Sequence, residues 1–254
     1  MRTAPHAMRR ILAATALAAA VLTPSCAPPG VRYPDGSSVV KRRATLKDEL
    51  TALLPEAQRK LPDAQEEARW LADTAYKAAA GISRVNGSWF PGWAGNALIN
   101  MGMQDRGLCW HYQHDMYREL RRRPLKFFRI GCCVRDKEKL TEHNCVYVAA
   151  KKSAWPDGWV LDAWMWNGRL KVDKASELNQ ARWQDLPARV DELLSIAYKE
   201  GHHMPIEHWA VIKTYTGNYD YYLLPESRAS KQYERMYNNV MQGMKDHPDS
   251  PTNY

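Results

Sequence analysis

Residues 159–172 of the chain read WVLDAWMWNGRLKV, and this stretch decides the class of fold. Strand-forming residues flank Asn167-Gly168 on both sides, and an Asn-Gly pair in that context is the strongest short signal for a two-residue β-hairpin turn. Two earlier stretches have the same character, so the sequence predicts an antiparallel sheet. Its predicted strands are Phe127–Arg135, His143–Ala150, Trp159–Trp166 and Arg169–Val172.

The chain before this sheet has the spacing of helices. Thr45 and Asp63 can each cap a helix, and the apolar residues that follow them recur on one stripe. A third helix is predicted from Cys109 to about Arg122. Helices followed by antiparallel strands define an α+β fold, in which we expect the third helix to pack on the sheet.

Residues 175–254 are predicted to form a C-terminal extension, which can belong to the same domain as the core at 44–174. The extension contains a second predicted hairpin between Trp209 and Leu224 and a last amphipathic helix from about Tyr233 to Met244.

Residues 1–25 are typical of an export signal. Basic residues precede the apolar stretch 11–22, which is shorter than the roughly 20 residues of a membrane-spanning helix. Cys26 follows Leu22-Thr23-Pro24-Ser25, which resembles the lipobox of bacterial lipoproteins; the alternative is cleavage without lipidation. Both alternatives predict a mature protein in the periplasm or on the outer surface, and lipidation would tether it to the membrane. Residues 26–43, rich in Pro, Gly and Ser, are typical of such a tether.

The composition excludes several classes of protein. Hydrophobic residues make up 45% of the 254 and charged residues 25%, which excludes collagen, a disordered chain and a polytopic membrane protein. Removal of the three signal arginines lowers the net charge from +8 to +5, from 33 basic and 28 acidic residues. Because the chain has no glycine-rich nucleotide pattern and is expected outside the cytoplasm, we predict no cofactor and no nucleic-acid partner.

Three segments place a thiol, an imidazole and a carboxylate in order along the chain. Cys109 stands in the first turn of the third helix, where unpaired backbone N–H groups favour a thiolate. His143 begins one predicted strand and Asp162 lies in the next. The predicted register sets His143 directly opposite Asp162, so that partner numbers sum to 305 and the side chains come within hydrogen-bonding reach.

These segments resemble the transglutaminase-like superfamily of papain-type cysteine enzymes over residues 105–172. The nucleophile of that family stands in a Gly-x-Cys-x-x-Tyr-like turn, which Gly107, Cys109 and Tyr112 match. Its carboxylate lies in a Gly-Trp-x-x-x-Asp-like strand, which is similar to Gly158–Asp162. The family core is a helix that begins at the nucleophile and packs on an antiparallel sheet.

The resemblance implies a role for each of the three residues. Cys109 would be the nucleophile, His143 the general base and Asp162 the carboxylate that orients the imidazole. The chain departs from the family at Asn144, which follows the histidine where alanine is usual. The Cys109 backbone N–H is the natural first oxyanion donor. The candidates for a second donor are Gln104 and Asn100.

The remaining cysteines of the core are Cys132, Cys133 and Cys145. A register in which partner numbers sum to 277 sets Cys132 opposite Cys145, and the exported compartment permits a disulfide between them. The alternative is a reduced, apolar trio in the core.

Other clusters have simpler interpretations. His111 and Asp115 share the helix of Cys109 at a spacing that can hold a metal, but no HExxH motif or paired CxxC supports such a site, so we expect no metal. The basic residues between Arg118 and Arg129 are typical of a solvated face or of attraction to anionic envelope polymers.

The sequence thus predicts an exported cysteine peptidase or amidase, or a transglutaminase-like acyltransferase, that forms a thioester with a peptide, a protein or a cell-wall stem peptide. Water or an amine would resolve the thioester, and the sequence leaves that acceptor open. The alternative is a catalytically inactive binding or scaffold lipoprotein of the same fold. The candidates to line the substrate cleft are Trp93, Trp110 and Trp164.

Overall fold

The computed structural model describes residues 33–86, 107–137, 139, 141–166, 168–186 and the isolated positions 238, 239 and 242. Within these ranges helices precede a five-stranded antiparallel sheet, which confirms the predicted α+β class. The predicted signal segment, the second hairpin and most of the last helix lie outside the described residues. No helix in the described ranges is both long enough and apolar enough to cross a bilayer.

The bounds of the helix that begins at Cys109 and of the first four strands agree closely with the predicted ones, whereas the fifth strand was not predicted. The helices are α1 (Val39–Ala52), α2 (Glu56–Arg59), α3 (Pro62–Val85) and α4 (Cys109–Leu120). The strands are β1 (Phe128–Arg135), β2 (His143–Ala150), β3 (Trp159–Trp166), β4 (Arg169–Lys174) and β5 (Trp183–Asp185). The strand order across the sheet is β4-β3-β2-β1-β5.

Helix α1 begins earlier than the sequence predicted. The Ser38 side chain accepts a hydrogen bond from the backbone N–H of Lys41 at 3.2 Å and so caps the helix. Residues 39–43, predicted as the end of a tether, are therefore helical, and Leu46 and Leu50 are buried in the core.

The two faces of the sheet have different surroundings. The helix face, which we define by Cys132, Val146 and Leu161, shares one apolar cluster with α1, α3 and α4. The far face, which we define by Cys133, Cys145 and Tyr147, forms a second and smaller cluster. Because successive residues of a strand alternate between faces, the register of each strand decides which cysteines and polar groups share a face.

Helix α3 fixes the start of the sheet through a buried carboxylate. The Glu67 side chain accepts hydrogen bonds from the backbone N–H groups of Lys126, Phe127 and Phe128 at 2.8, 2.9 and 3.0 Å. These three donors precede or open β1 and have no strand partner at that point, so Glu67 satisfies groups that would otherwise be buried unpaired.

The β1–β2 register corrects the predicted disulfide. Cys133, not Cys132, stands opposite Cys145, and Cys132 pairs with Val146. Because a slip of one residue reverses the face of every side chain, Cys132 belongs to the helix face and the Cys132–Cys145 pairing is wrong. Asp136, with φ of 51°, follows the last residue of β1 in a left-handed conformation. No disulfide joins any of the cysteines in the described ranges.

Candidate active site

His143 and Asp162 meet at the end of the sheet where β2 and β3 separate. Their Nε2 and Oδ2 atoms lie 2.7 Å apart. The predicted register is wrong by two residues: Val146 pairs with Leu161, so partner numbers sum to 307 and His143 and Asp162 are diagonal neighbours. A slip of two residues keeps both side chains on the same face, and the ladder stops before either residue, so the contact survives.

The Asp162 carboxylate is held by backbone as well as by the imidazole. Its Oδ1 accepts hydrogen bonds from the N–H groups of Trp164 at 3.0 Å and Met165 at 2.9 Å, within a bulge of β3. Burial by itself would raise the pKa of Asp162, but His143 and these N–H groups outweigh it and lower the pKa. The carboxylate is therefore ionised and fixed in direction.

The His143 ring is almost fully buried, with 1% of its surface exposed, between the indoles of Trp164 and Trp183. Burial alone would lower the pKa of His143, but the ionised Asp162 carboxylate bonded to Nε2 raises it well above its usual value. Nδ1, the nitrogen that Asp162 does not use, has no hydrogen-bond partner among the described residues.

Cys109 approaches this ring from the helix face. It is the first residue of α4 and is 7% exposed. Its thiol donates to the carbonyl of Glu142 at 3.9 Å, and its sulfur accepts from Nδ2 of Asn144 at 3.9 Å. Because Glu142 and Asn144 flank His143 in the chain, the nucleophile candidate lies at the strand end that carries the imidazole.

A second thiol, which the sequence analysis did not assign to the site, touches the same imidazole. The Cys145 sulfur lies 3.3 Å from Nε2 of His143. Burial and the nearby Asp162 raise the pKa of Cys145 to about 12, so its thiol is protonated at neutral pH. The signal for this contact was in the sequence, since residues two apart on a strand share a face.

Helix α4 begins with a cap that the sequence analysis also missed. The Nδ1 atom of His111 accepts hydrogen bonds from the backbone N–H groups of Gly107 and Leu108 at 3.2 and 3.1 Å. His111 stands three residues after the N-cap, the position from which a side chain can reach back as in a capping box. Two N–H groups next to Cys109 are thereby occupied.

Gln113 joins the helix of Cys109 to the strand of His143. Its buried Nε2 donates to the backbone carbonyls of Cys145 at 2.8 Å and Cys133 at 3.2 Å. Since Gln113 lies one turn beyond Cys109 on α4, these bonds set the distance and angle between the helix start and β2.

The other predicted residues divide into two groups. Trp164 reaches the site and donates from Nε1 to the carbonyl of Gly107 at 2.9 Å, while Trp110 stacks on His111 with ring centroids 3.8 Å apart. The remaining candidates lie outside the described residues: Cys26, Trp93, Asn100 and Gln104.

Among the described residues one group has the side chains and spacing to hold a metal ion, namely His143, Cys145 and Asp162. The His111 and Asp115 pair does not form such a group there. The described site is thus a spatial cluster of thiol, imidazole and carboxylate. Comparison of the chain with protein-family models, with curated proteins and with solved structures finds no match in any of the three.

Proposed function

We propose that this protein cleaves or transfers amide acyl groups through a thioester, with Cys109 as nucleophile, His143 as general base and Asp162 as the group that orients the imidazole. The observation that carries the proposal is the 2.7 Å contact between Asp162 and Nε2 of His143, at the strand end where the Cys109 sulfur lies 3.9 Å from atoms of Glu142 and Asn144. We also propose that the protein resembles transglutaminase-like enzymes in this chemistry.

The geometry favours Cys109 over Cys145 as the nucleophile. Cys145 lies against Nε2, and that nitrogen already donates to Asp162. The Cys145 thiol is also protonated at neutral pH, with its pKa raised to about 12. Cys109 is the first residue of α4, and its sulfur lies 3.9 Å from the carbonyl oxygen of Glu142 and 3.9 Å from Nδ2 of Asn144, the two neighbours of His143 in the chain.

The reaction then proceeds in two halves. In the neutral form of His143, whose share grows as the pH rises towards the raised pKa of the ring, Nδ1 takes the Cys109 proton, and the sulfur attacks the amide carbonyl to form a tetrahedral oxyanion. Collapse of that species breaks the C–N bond; the imidazolium gives its proton to the departing amine, and a thioester remains. Water or a second amine, deprotonated by the same imidazole, attacks the thioester and releases Cys109.

Asn144 is the described side chain best placed to serve as an oxyanion donor beside the Cys109 backbone N–H. Its Nδ2 has two hydrogens: one is donated to Oε1 of Glu142 at 2.9 Å, and the amide nitrogen lies 3.9 Å from the Cys109 sulfur. The N–H groups of Gly107 and Leu108 are occupied by His111. Asn144 therefore gives a chemical reason for the departure from the family pattern at this position.

The proposed substrates are peptides, proteins or cell-wall stem peptides, since the first 25 residues are typical of an export signal and Cys26 of a lipid anchor. An aromatic wall formed by Trp164 and Trp183 around His143 suits such chains, because large rings bury substrate surface.

Selective alkylation tests the proposal. Iodoacetamide near pH 6, where an ordinary thiol of pKa about 8.5 is almost fully protonated, should label Cys109. The Cys109→Ala variant should lose this labelling, His143→Ala should slow it, and the matched variant Cys132→Ala, which removes a buried thiol of the helix face, should leave it unchanged. Equal and slow labelling of all cysteines would instead favour a binding or scaffold protein. Mass spectrometry of the acyl adduct formed with peptide or wall fragments then identifies the substrate class.

A further inference from the structure

Three ligand-type atoms of the far face lie within 4.8 Å of one another: Nε2 of His143, Sγ of Cys145 and a carboxylate oxygen of Asp162. The proposed acyl transfer uses two of these residues and leaves Cys145 without a role. A buried thiol against an imidazole and a carboxylate is the donor combination that thiophilic divalent cations prefer.

We propose that His143, Cys145 and Asp162 form a binding site for a thiophilic divalent cation such as Zn²⁺, and that an ion bound there silences Cys109. The first half of this inference rests on geometry alone. The second half rests on the proposed function, because it concerns the base that Cys109 requires.

The distances suit such an ion with small side-chain movements. Nε2 lies 3.3 Å from the Cys145 sulfur and 2.7 Å from Oδ2 of Asp162. Neighbouring ligand atoms around a tetrahedral zinc ion are separated by about 3.4 Å, given bonds of about 2.1 Å. The contact between Nε2 and Oδ2 must widen, while Sγ of Cys145 and a carboxylate oxygen of Asp162 already lie within 4.8 Å of each other, and three protein ligands leave a fourth position for water.

Hydrogen bonding around Asp162 and His143 suits each of them to bind a metal ion. Oδ1 of Asp162 is fixed by the N–H groups of Trp164 and Met165, which leaves Oδ2 to face the ion. Nδ1 of His143 has no hydrogen-bond partner among the described residues and can carry the ring proton when Nε2 binds the ion.

The effect on the proposed chemistry follows from the proton balance. An ion at this site requires that Nε2 and the Cys145 thiol give up their protons to solvent, so that a nitrogen lone pair and a thiolate form the new bonds. The single proton left on the ring then sits on Nδ1. That nitrogen no longer has a free lone pair and cannot accept the proton of Cys109. Binding of the cation and activation of the nucleophile are therefore mutually exclusive.

Titration of the full chain with Zn²⁺, followed by calorimetry, tests the site without any substrate. The Cys109→Ala variant should bind one ion with the affinity of the wild type, and so should the control Cys132→Ala. Cys145→Ala and the isosteric Cys145→Ser should each bind at least about tenfold more weakly. With Co²⁺, the wild type should give a thiolate-to-metal charge-transfer band that both Cys145 variants lack. Circular dichroism of the two variants separates loss of the site from loss of the fold.

Two results would overturn the site. The first is that the wild-type protein binds no Zn²⁺. The second is that the Cys145 variants bind Zn²⁺ with the wild-type affinity whereas Cys109→Ala binds none. A second experiment tests whether the ion silences Cys109. Zn²⁺ should protect wild-type Cys109 from iodoacetamide, and a chelator should restore the labelling. In Cys145→Ser, Cys109 should label at nearly the same rate with and without Zn²⁺. If Cys109→Ala binds Zn²⁺ but Cys109 never labels at pH 6, the proposed function fails and the cation site stands. If Cys109 labels rapidly at pH 6 but the protein binds no Zn²⁺, the cation site fails and the proposed function stands.

Discussion

The two faces of the sheet differ in what they bury. The helix face joins apolar residues of three helices and four strands in one cluster, with Leu50, Leu71 and Leu170 fully buried. The far face buries ionisable groups, among them His143, Cys145 and Asp162. Burying a charge costs free energy unless it is paired, and on the far face the contact of Asp162 with His143 and two backbone N–H groups offsets that cost. The helix face therefore supplies most of the apolar burial that stabilises the fold, and the far face concentrates the ionisable groups of the proposed site.

The largest expected effect is the loss of thioester formation in Asp162→Asn, which removes the carboxylate that holds His143. The new side chain can still accept from the N–H groups of Trp164 and Met165 through its Oδ1, but its amide then faces Nε2 of His143 as a donor. The ring must accept at Nε2 and carry its proton on Nδ1, so it cannot deprotonate Cys109. The rate of thioester formation with an activated ester such as p-nitrophenyl acetate should fall roughly 10³-fold or more.

A fall of less than tenfold in Asp162→Asn would contradict the orienting role of the carboxylate. The matched control is Asp173→Asn, which removes a half-buried carboxylate of β4 on the same sheet, paired with Lys171. That variant should leave the rate of thioester formation unchanged.

On the helix face, Leu50→Ala should act on stability and not on chemistry. Leu50 is fully buried in the apolar cluster, and truncation of such a residue costs about 2–5 kcal/mol in unfolding free energy. Urea denaturation measures this cost. Below the unfolding transition, iodoacetamide should still label Cys109 at the wild-type rate; a parallel loss of labelling would show that the two faces are not separable.

The sequence predicts this division only in part, and the reason is geometric. Strand-forming residues run through β2 and β3, so both strands are predicted with their observed bounds. These runs do not encode register, which depends on the turns: the turn after β1 includes the left-handed Asp136, and β1 pairs with β2 one residue away from the predicted register. A slip of one moved Cys132 to the helix face, whereas the slip of two between β2 and β3 kept Asp162 beside His143.

The contacts that complete the site could not be predicted from the sequence, because they depend on strand register and on residues far apart in the chain. Cys145 shares a face with His143 by simple alternation, but only the register and the β3 bulge show that Asp162 meets both. The double hydrogen bond from Gln113 joins α4 to two strands, and no local pattern signals a bond between residues 20 and 32 positions apart.

Gln113 connects the two faces, so its replacement should lower both the unfolding free energy and the rate of Cys109 labelling. In Gln113→Leu the carbonyls of Cys133 and Cys145 lose their buried donor, which costs about 1–3 kcal/mol. Because the helix start is no longer held against β2, labelling of Cys109 at pH 6 should also slow, whereas Leu50→Ala should affect stability alone. Gln113→Leu with a lower unfolding free energy but wild-type labelling would show that packing alone positions α4.

The smallest expected effect is the pH dependence of the far-face pair. The folded pKa of His143 is raised, so its contribution to stability is complete below about pH 6.5, the usual value, and is lost as the pH rises through the folded pKa. The folded pKa of Asp162 is lowered, so its contribution is complete above its usual value of 3.8 and is lost as the pH falls through the folded pKa. The difference in melting temperature between wild type and Asp162→Asn should therefore be largest between these two usual values and should decline on both sides. Leu50→Ala is the internal control, since its deficit involves no titrating group and should stay constant over the same range. A wild-type advantage over Asp162→Asn that does not change with pH would mean that the carboxylate stabilises the fold by its backbone hydrogen bonds and not by its charge on His143.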